Sequence, residues 1–173
     1  MRKSLFMFVA AIALCAPIAA LADTAPTPST VAAQTCKAEL AKMGAQTFAQ
    51  TYANFGACVQ KNKTQATADV TNAGATCKAE QADANFAAAH GGKTFDQYYG
   101  SNTPNDKSKG AGANAYGKCV SQHAQQASQQ DATKAAAAAK TCKAMLKNDP
   151  TGFATKYGKT RNAFGKCVAA KGK

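Results

Sequence analysis

Tryptophan is absent from this 173-residue chain, and isoleucine does not recur after residue 18. Beyond residue 22 only twenty Val, Leu, Met, Phe and Tyr remain, so most of the apolar content is Ala, which buries little area per residue. A thick hydrophobic core is therefore excluded. Acidic residues are few as well: the 9 Asp and Glu are scattered, with no carboxylate pair spaced for general acid–base work. Only two histidines occur. His123 stands between Ser121 and Asp131, but all three fall on one predicted helix, too far apart in angle or rise for a triad. His90, just before Gly91-Gly92, reads as a helix-end residue that favours the dipole. No catalytic residue is assigned, and the expectation is a non-enzyme.

Other absences narrow the field further. No two cysteines after residue 22 lie closer than 19 residues, which excludes a C-x-x-C knuckle and a haem-attachment motif. Neither a metal nor a cofactor is expected. Gly91-Gly92, though followed by Lys93-Thr94, and Gly110-Ala111-Gly112 lack the strand context of phosphate loops and read as turns. β-branched alternation is missing, so strands are not expected and the fold class is all-α.

What is present begins with an export signal. Arg2 and Lys3 precede the apolar run Leu5 to Leu14, too short to span a bilayer, and Ala20-Leu21-Ala22 gives a small-x-small cleavage pattern before Asp23. Residues 1–22 read as a bacterial-style signal peptide and residues 23–34, Pro- and Thr-rich at the start, as a flexible leader. No second stretch approaches spanning length. Without the signal the chain keeps 19 Lys and Arg against 9 Asp and Glu, a formal charge of +10. It also keeps six cysteines, an even number that in an exported protein points to disulfides. Covalent staples are the expected remedy for a thin core that must still offset chain entropy.

Three units repeat along residues 35–173, at 35–60, 76–121 and 141–169. Cys36 is followed by Phe48, Tyr52, Phe55 and Cys58; Cys77 by Phe95, Tyr99, Tyr116 and Cys119; Cys142 by Phe153, Tyr157, Phe164 and Cys167. In each, Phe and Tyr lie four apart, on one helix face, and a third ring sits one turn before the second Cys. A glycine follows that ring: Gly56, Gly117, Gly165. These nine aromatics are expected to be the main core, packed over the disulfides.

Helices are expected from a cap near Ser29 or Thr30 to Met43 with Gly44 as the stop, from Cys58 to about Ala89, and from Tyr116 to Lys147. Asp149-Pro150 should cap a short helix that carries Phe153 and Tyr157 and ends at Gly158. The long helices carry apolar stripes: Val59, Ala66, Val70, Ala73 and Cys77 on one, and Val120, Ala124, Ala127, Ala135, Ala138 and Cys142 on the other. Continuous helices would hold Cys58 and Cys77 roughly 28 Å apart, and Cys119 and Cys142 roughly 34 Å apart, at 1.5 Å per residue. Disulfide Cα atoms must lie within about 7 Å. The simplest surviving pairing is one bridge per unit, Cys36–Cys58, Cys77–Cys119 and Cys142–Cys167. An antiparallel stack also permits Cys77–Cys119 with Cys58–Cys142 and Cys36–Cys167.

The wording Cys142-Lys143-Ala144, Phe153, Tyr157-Gly158 and Arg161-Asn162-Ala163-Phe164-Gly165-Lys166-Cys167-Val168 resembles repeats in uncharacterised exported proteins of actinobacteria, whose typical form is close to CRAE…F…YGTN…RNAFGKCV. The third unit matches well, the second is stretched, and the first lacks the linker after Tyr. The resemblance implies architecture and export, and transfers no functional site.

Charge is the feature with functional reach. A +10 surface attracts polyanions, and Lys156, Lys159, Arg161 and Lys166 form a local excess proposed to bind them. Arg161 is the only arginine after residue 22, which argues against sequence-specific nucleic-acid recognition. The expected protein is a monomeric, secreted or periplasmic (cell-envelope) structural or binding module for acidic polymers or anionic surfaces. The competing expectation is an inhibitor- or toxin-like scaffold that grips a protein target through its Gly-, Asn- and Lys-rich loop at residues 101–112.

Overall fold

Thr27 and Pro28 start the first helix. The Thr27 hydroxyl accepts from the Thr30 backbone N–H, and Pro28 occupies a first-turn position where its missing N–H is not needed. The computed structural model describes residues 25–100 and 114–172. The signal peptide and the 101–112 loop fall outside them. Along the described residues run α1 (Pro28–Met43), α2 (Ala45–Tyr52), α3 (Phe55–Ala82), α4 (Phe86–Ala89), α5 (Phe95–Tyr99), α6 (Ala115–Asn148), α7 (Pro150–Tyr157) and α8 (Ala163–Lys171). No strand occurs among them, and none of these helices is long and apolar enough to cross a membrane. The fold is all-α.

The three long helices α1, α3 and α6 pack on one another, so the units form a bundle and not an extended zigzag. Their shared core is small-residue in character: Ala32, Ala66, Ala73 and Ala124, with Val31 and Val120. Inside it the Thr35 and Ser128 hydroxyls lie 2.7 Å apart and both reach the Val31 carbonyl, so neither buried O–H is stranded. The expected stripe on α6 is displaced. Ala127 and Ala135 are half-buried, while Val120, Ala124, Ser128, Ala132 and Ala136 form the buried row. That row advances by four residues, the ridge spacing of tightly packed helices. Reading only apolar types missed Ser128, whose polar group is paired.

Each unit closes on its own disulfide. Cys36–Cys58 joins α1 to α3, Cys77–Cys119 joins α3 to α6, and Cys142–Cys167 joins α6 to α8, with Cα separations of 6.0, 5.9 and 6.0 Å. All six cysteines are fully buried. Loops of these lengths correspond to about 3 to 4 kcal/mol each on a chain-entropy estimate. Gly44 and Gly158 end α1 and α7 at φ of 79° and 95°, and Asp149 caps α7 through the Gly152 N–H.

Some expectations need correction. The flexible leader to residue 34 is wrong for its second half: Val31 and Ala32 are fully buried because α1 begins at Pro28 and docks against α3 and α6. The long helix after Cys58 stops at Ala82, where the Asp83 side chain accepts from the Asn85 N–H and turns the chain. Phe55 is no core residue. It is 37% exposed at the first turn of α3, with its ring 6.4 Å from that of Phe48. Only Ala53 and Asn54 separate it from Tyr52, and Ala53 is already forced to a φ of 65°, leaving no slack to fold the ring inward. Tyr116 is half-buried, and its hydroxyl donates to the Gly74 carbonyl at 3.1 Å. Gly74 sits mid-helix where a Cβ would press on that hydroxyl at 3.2 Å. The other seven rings of the repeat are buried, and Phe86, which lies outside the repeat pattern, joins them.

The seam between the first and third units is tight. A Cβ on Gly165 would lie 2.5 Å from the Thr51 carbonyl oxygen, whereas one on Gly56 meets only the Asn54 side chain at 3.4 Å. Gly165→Ala should lower stability by about 1 to 3 kcal/mol through forced separation of α8 from α2. Gly56→Ala should be neutral or stabilising by up to about 1 kcal/mol. Urea unfolding of the oxidised variants checks both, and a silent Gly165→Ala would mean a looser seam.

Candidate functional site

Where α2 and the start of α3 meet the 158–162 turn and α8, cations collect. Lys61 stands one turn beyond Cys58 on α3. Its Nζ donates to the Gly165 carbonyl at 3.3 Å and lies 5.2 Å from the centre of the Tyr52 ring. Burial pushes its ammonium below the ordinary lysine value, partly offset by the charge of Glu39. Lys61, Arg161 and Lys166 line a cleft of about 540 Å³ with Gln50, Tyr52 and Asn162, and no Asp or Glu is among its lining residues. Arg161 also borders a second groove of about 670 Å³, which Lys159 shares and which likewise has no acidic lining residue. Of the four predicted polyanion-binding residues, three are therefore brought to one seam. Lys156 lies apart from both clefts, with its Nζ 5.6 Å from the ring of its neighbour Tyr157. Lys61 was not foreseen. The second and third units carry Gln122 and Ala170 at the matching offset from their second cysteines, so the repeat offers no signal for it.

A second pattern sits over the disulfides. Glu39 follows Cys36 by three residues and Glu80 follows Cys77 by three, which turns each carboxylate back onto its own bridge. Glu39 is only 2% exposed. Its Oε2 is 3.5 Å from the Cys58 sulfur, Asn62 donates toward its Oε1 at 3.5 Å, and Tyr52 bonds to it. Burial pushes the Glu39 carboxyl up to about 6 against these partners. Glu80 accepts the Tyr99 hydroxyl at 2.8 Å and lies 3.0 Å from His123 Nε2. His123 thus has a partner that its own helix does not supply, on α3 and 43 residues back. Burial, then the hydrogen bond and charge of Glu80, push the Tyr99 phenol above its ordinary value, so it remains the donor. In the third unit Met145 takes the Glu position and the buried Tyr157 hydroxyl has no partner. The expected repeat therefore contains a polar clasp in two copies and an apolar one in the third.

Cys77, Cys119 and His123 lie close enough together to hold an ion, as do Cys36, Glu39 and Cys58. Their sulfurs are joined in disulfides, however, and a bridged sulfur offers no thiolate. The donor sets do not fit a metal in this state. No protein-family model matches the chain, and neither a curated protein nor a solved structure matches it.

The buried Glu39 predicts an acid-favoured fold. Between its ordinary value of 4.5 and about 6, the native state holds a proton that the unfolded chain releases. Stability should therefore fall as pH rises through that window, by about 2 kcal/mol, and be fully present below it. Asp69, pushed up by burial and by Asp131, adds in the same direction. Denaturant midpoints measured from pH 4 to 8 should decline, and Glu39→Gln should flatten the decline. A flat profile for the unsubstituted protein would contradict this account of Glu39.

Proposed function

We propose that this is an exported binding protein that engages anionic polymers at the seam between its first and third units. The observation that carries the reading is the cleft where Lys61, Arg161 and Lys166 converge with no carboxylate in the lining. A chain of sulfates, phosphates or carboxylates laid along it replaces small counterions, and releasing them drives association. Arg161 supplies a planar two-pronged donor for one acidic group, and the lysines act as point charges on its neighbours. The near absence of other arginines fits recognition of charge density without reading of bases. Three disulfides fit an oxidising, extracellular setting, in line with the signal read at residues 1–22.

Affinity for a linear polyphosphate should fall steeply with salt. Arg161→Gln and Lys166→Gln should each weaken binding and reduce the log–log salt slope by about 0.7 to 0.9. Lys78, exposed on α3 away from the seam, gives the control: Lys78→Gln changes the net charge equally and should leave the slope nearly unchanged. Equal effects from all three variants would show that overall charge, and not the cleft, does the binding.

A further inference from the structure

The groove on the other side of Arg161 has a different chemistry from the cleft. Phe153 and Phe164, both buried, contribute its aromatic lining, and Pro150, Ala154 and Ala163 add further apolar surface. Leu146 also borders it and is 42% exposed, one of only two leucines after residue 22 and among the few large apolar side chains open to water. Ala49 of α2 lines it as well. The cations are confined to Lys159 and Arg161 on the 158–162 turn, and no acidic group opposes them. Its volume of about 670 Å³ lies within the range of small-molecule sites, roughly 300 to 1,000 Å³. An apolar trough with positive charge at one edge is complementary to a ligand that has an apolar body and one anionic end.

We propose that this groove binds a single-chain fatty acid, with the carboxylate at Lys159 and Arg161 and the alkyl chain along Leu146, Phe153 and Phe164. The site lies beside the polymer cleft and shares Arg161 with it. Chain length then sets affinity, since each methylene taken out of water tightens binding by about fourfold. The cationic edge sets the sign of the head group. Covering Leu146 removes from water the more exposed of the two leucines among the described residues.

The test is calorimetric titration of the oxidised protein with decanoate and dodecanoate below their micelle-forming concentrations, and with dodecyltrimethylammonium as the opposite-charge control. Dodecanoate should bind at one site, roughly fifteenfold more tightly than decanoate for two methylenes, and the cationic amphiphile at least tenfold more weakly than dodecanoate. Ala154→Trp, which fills the trough, should abolish dodecanoate binding while leaving polyphosphate binding intact. Leu146→Asn, at an exposed position outside the buried clusters, should weaken dodecanoate by fivefold or more. Affinity that ignores chain length, a cationic amphiphile that binds equally well, or a silent Leu146→Asn each overturns the proposal. Loss of polyphosphate binding alone strikes only at the polymer cleft.

Discussion

Alanine lets helices approach closely but contributes little burial to hold them there, and the rest of this structure depends on how that shortfall is made up. The contact among α1, α3 and α6 is built on Ala32, Ala66, Ala73 and Ala124 with a pair of valines. Such a contact gains dispersion from short distances yet removes a modest apolar area from water. The three disulfides compensate by denying the unfolded chain much of its freedom. They do so in series: α3 is bridged near both ends, to α1 and to α6, and α6 is bridged again to α8. Rings from each unit then pack beside each bridge, forming local cores with Cys142–Cys167 and Cys36–Cys58 as with Cys77–Cys119.

Placing bridges in this way fixes more than stability. The first and third units are distant in sequence, and it is the bundle of long helices that brings α2 against α8. Gly165 permits that contact by offering no side chain where Thr51 presents its carbonyl, and Lys61 crosses the same seam to the Gly165 carbonyl. The seam is therefore where repeat units that are individually clamps become a surface none of them has alone. Its charge is one-sided because the acidic residues are used elsewhere. Glu39 and Glu80 are folded over disulfides, Asp69 is buried in the bundle, and Asp83 and Asp149 serve turns and caps.

The sequence made the clamps readable because two kinds of regularity coincided in it. Cysteines recurred at spacings that continuous helices could satisfy only within each unit or across an antiparallel stack, and the Phe–Tyr pairs recurred at one helical turn. The per-unit pairing, the all-α class, the α7 cap at Asp149-Pro150 and the stops at Gly44 and Gly158 all follow from local chemistry of this kind. What escaped was tertiary. Ser128 is buried only because Thr35 of another helix meets it, and His123 acquires Glu80 from α3. Phe55 matches its counterparts in sequence but not in place, because a two-residue link holds it at the rim. Lys61 enters the seam through docking of two units, which no spacing within one unit can announce. Three of the four charged residues singled out from composition do reach the seam, while Lys156 turns aside onto Tyr157.

A cleft of cations and an apolar trough sharing one arginine organise both charge and shape at the junction of the first and third units. Lys37, Lys63, Lys78 and Lys140, by contrast, stand on exposed helix faces, where they solvate an alanine-rich bundle. The most direct measurement is an amide NMR titration of the isotope-labelled, oxidised protein with a short anionic oligomer. The account predicts shifts concentrated on Ala49 to Lys61 and on Lys159 to Ala169, with α5 and the middle of α6 unmoved. Shifts spread evenly over the exposed lysines of α3 and α6 would contradict it.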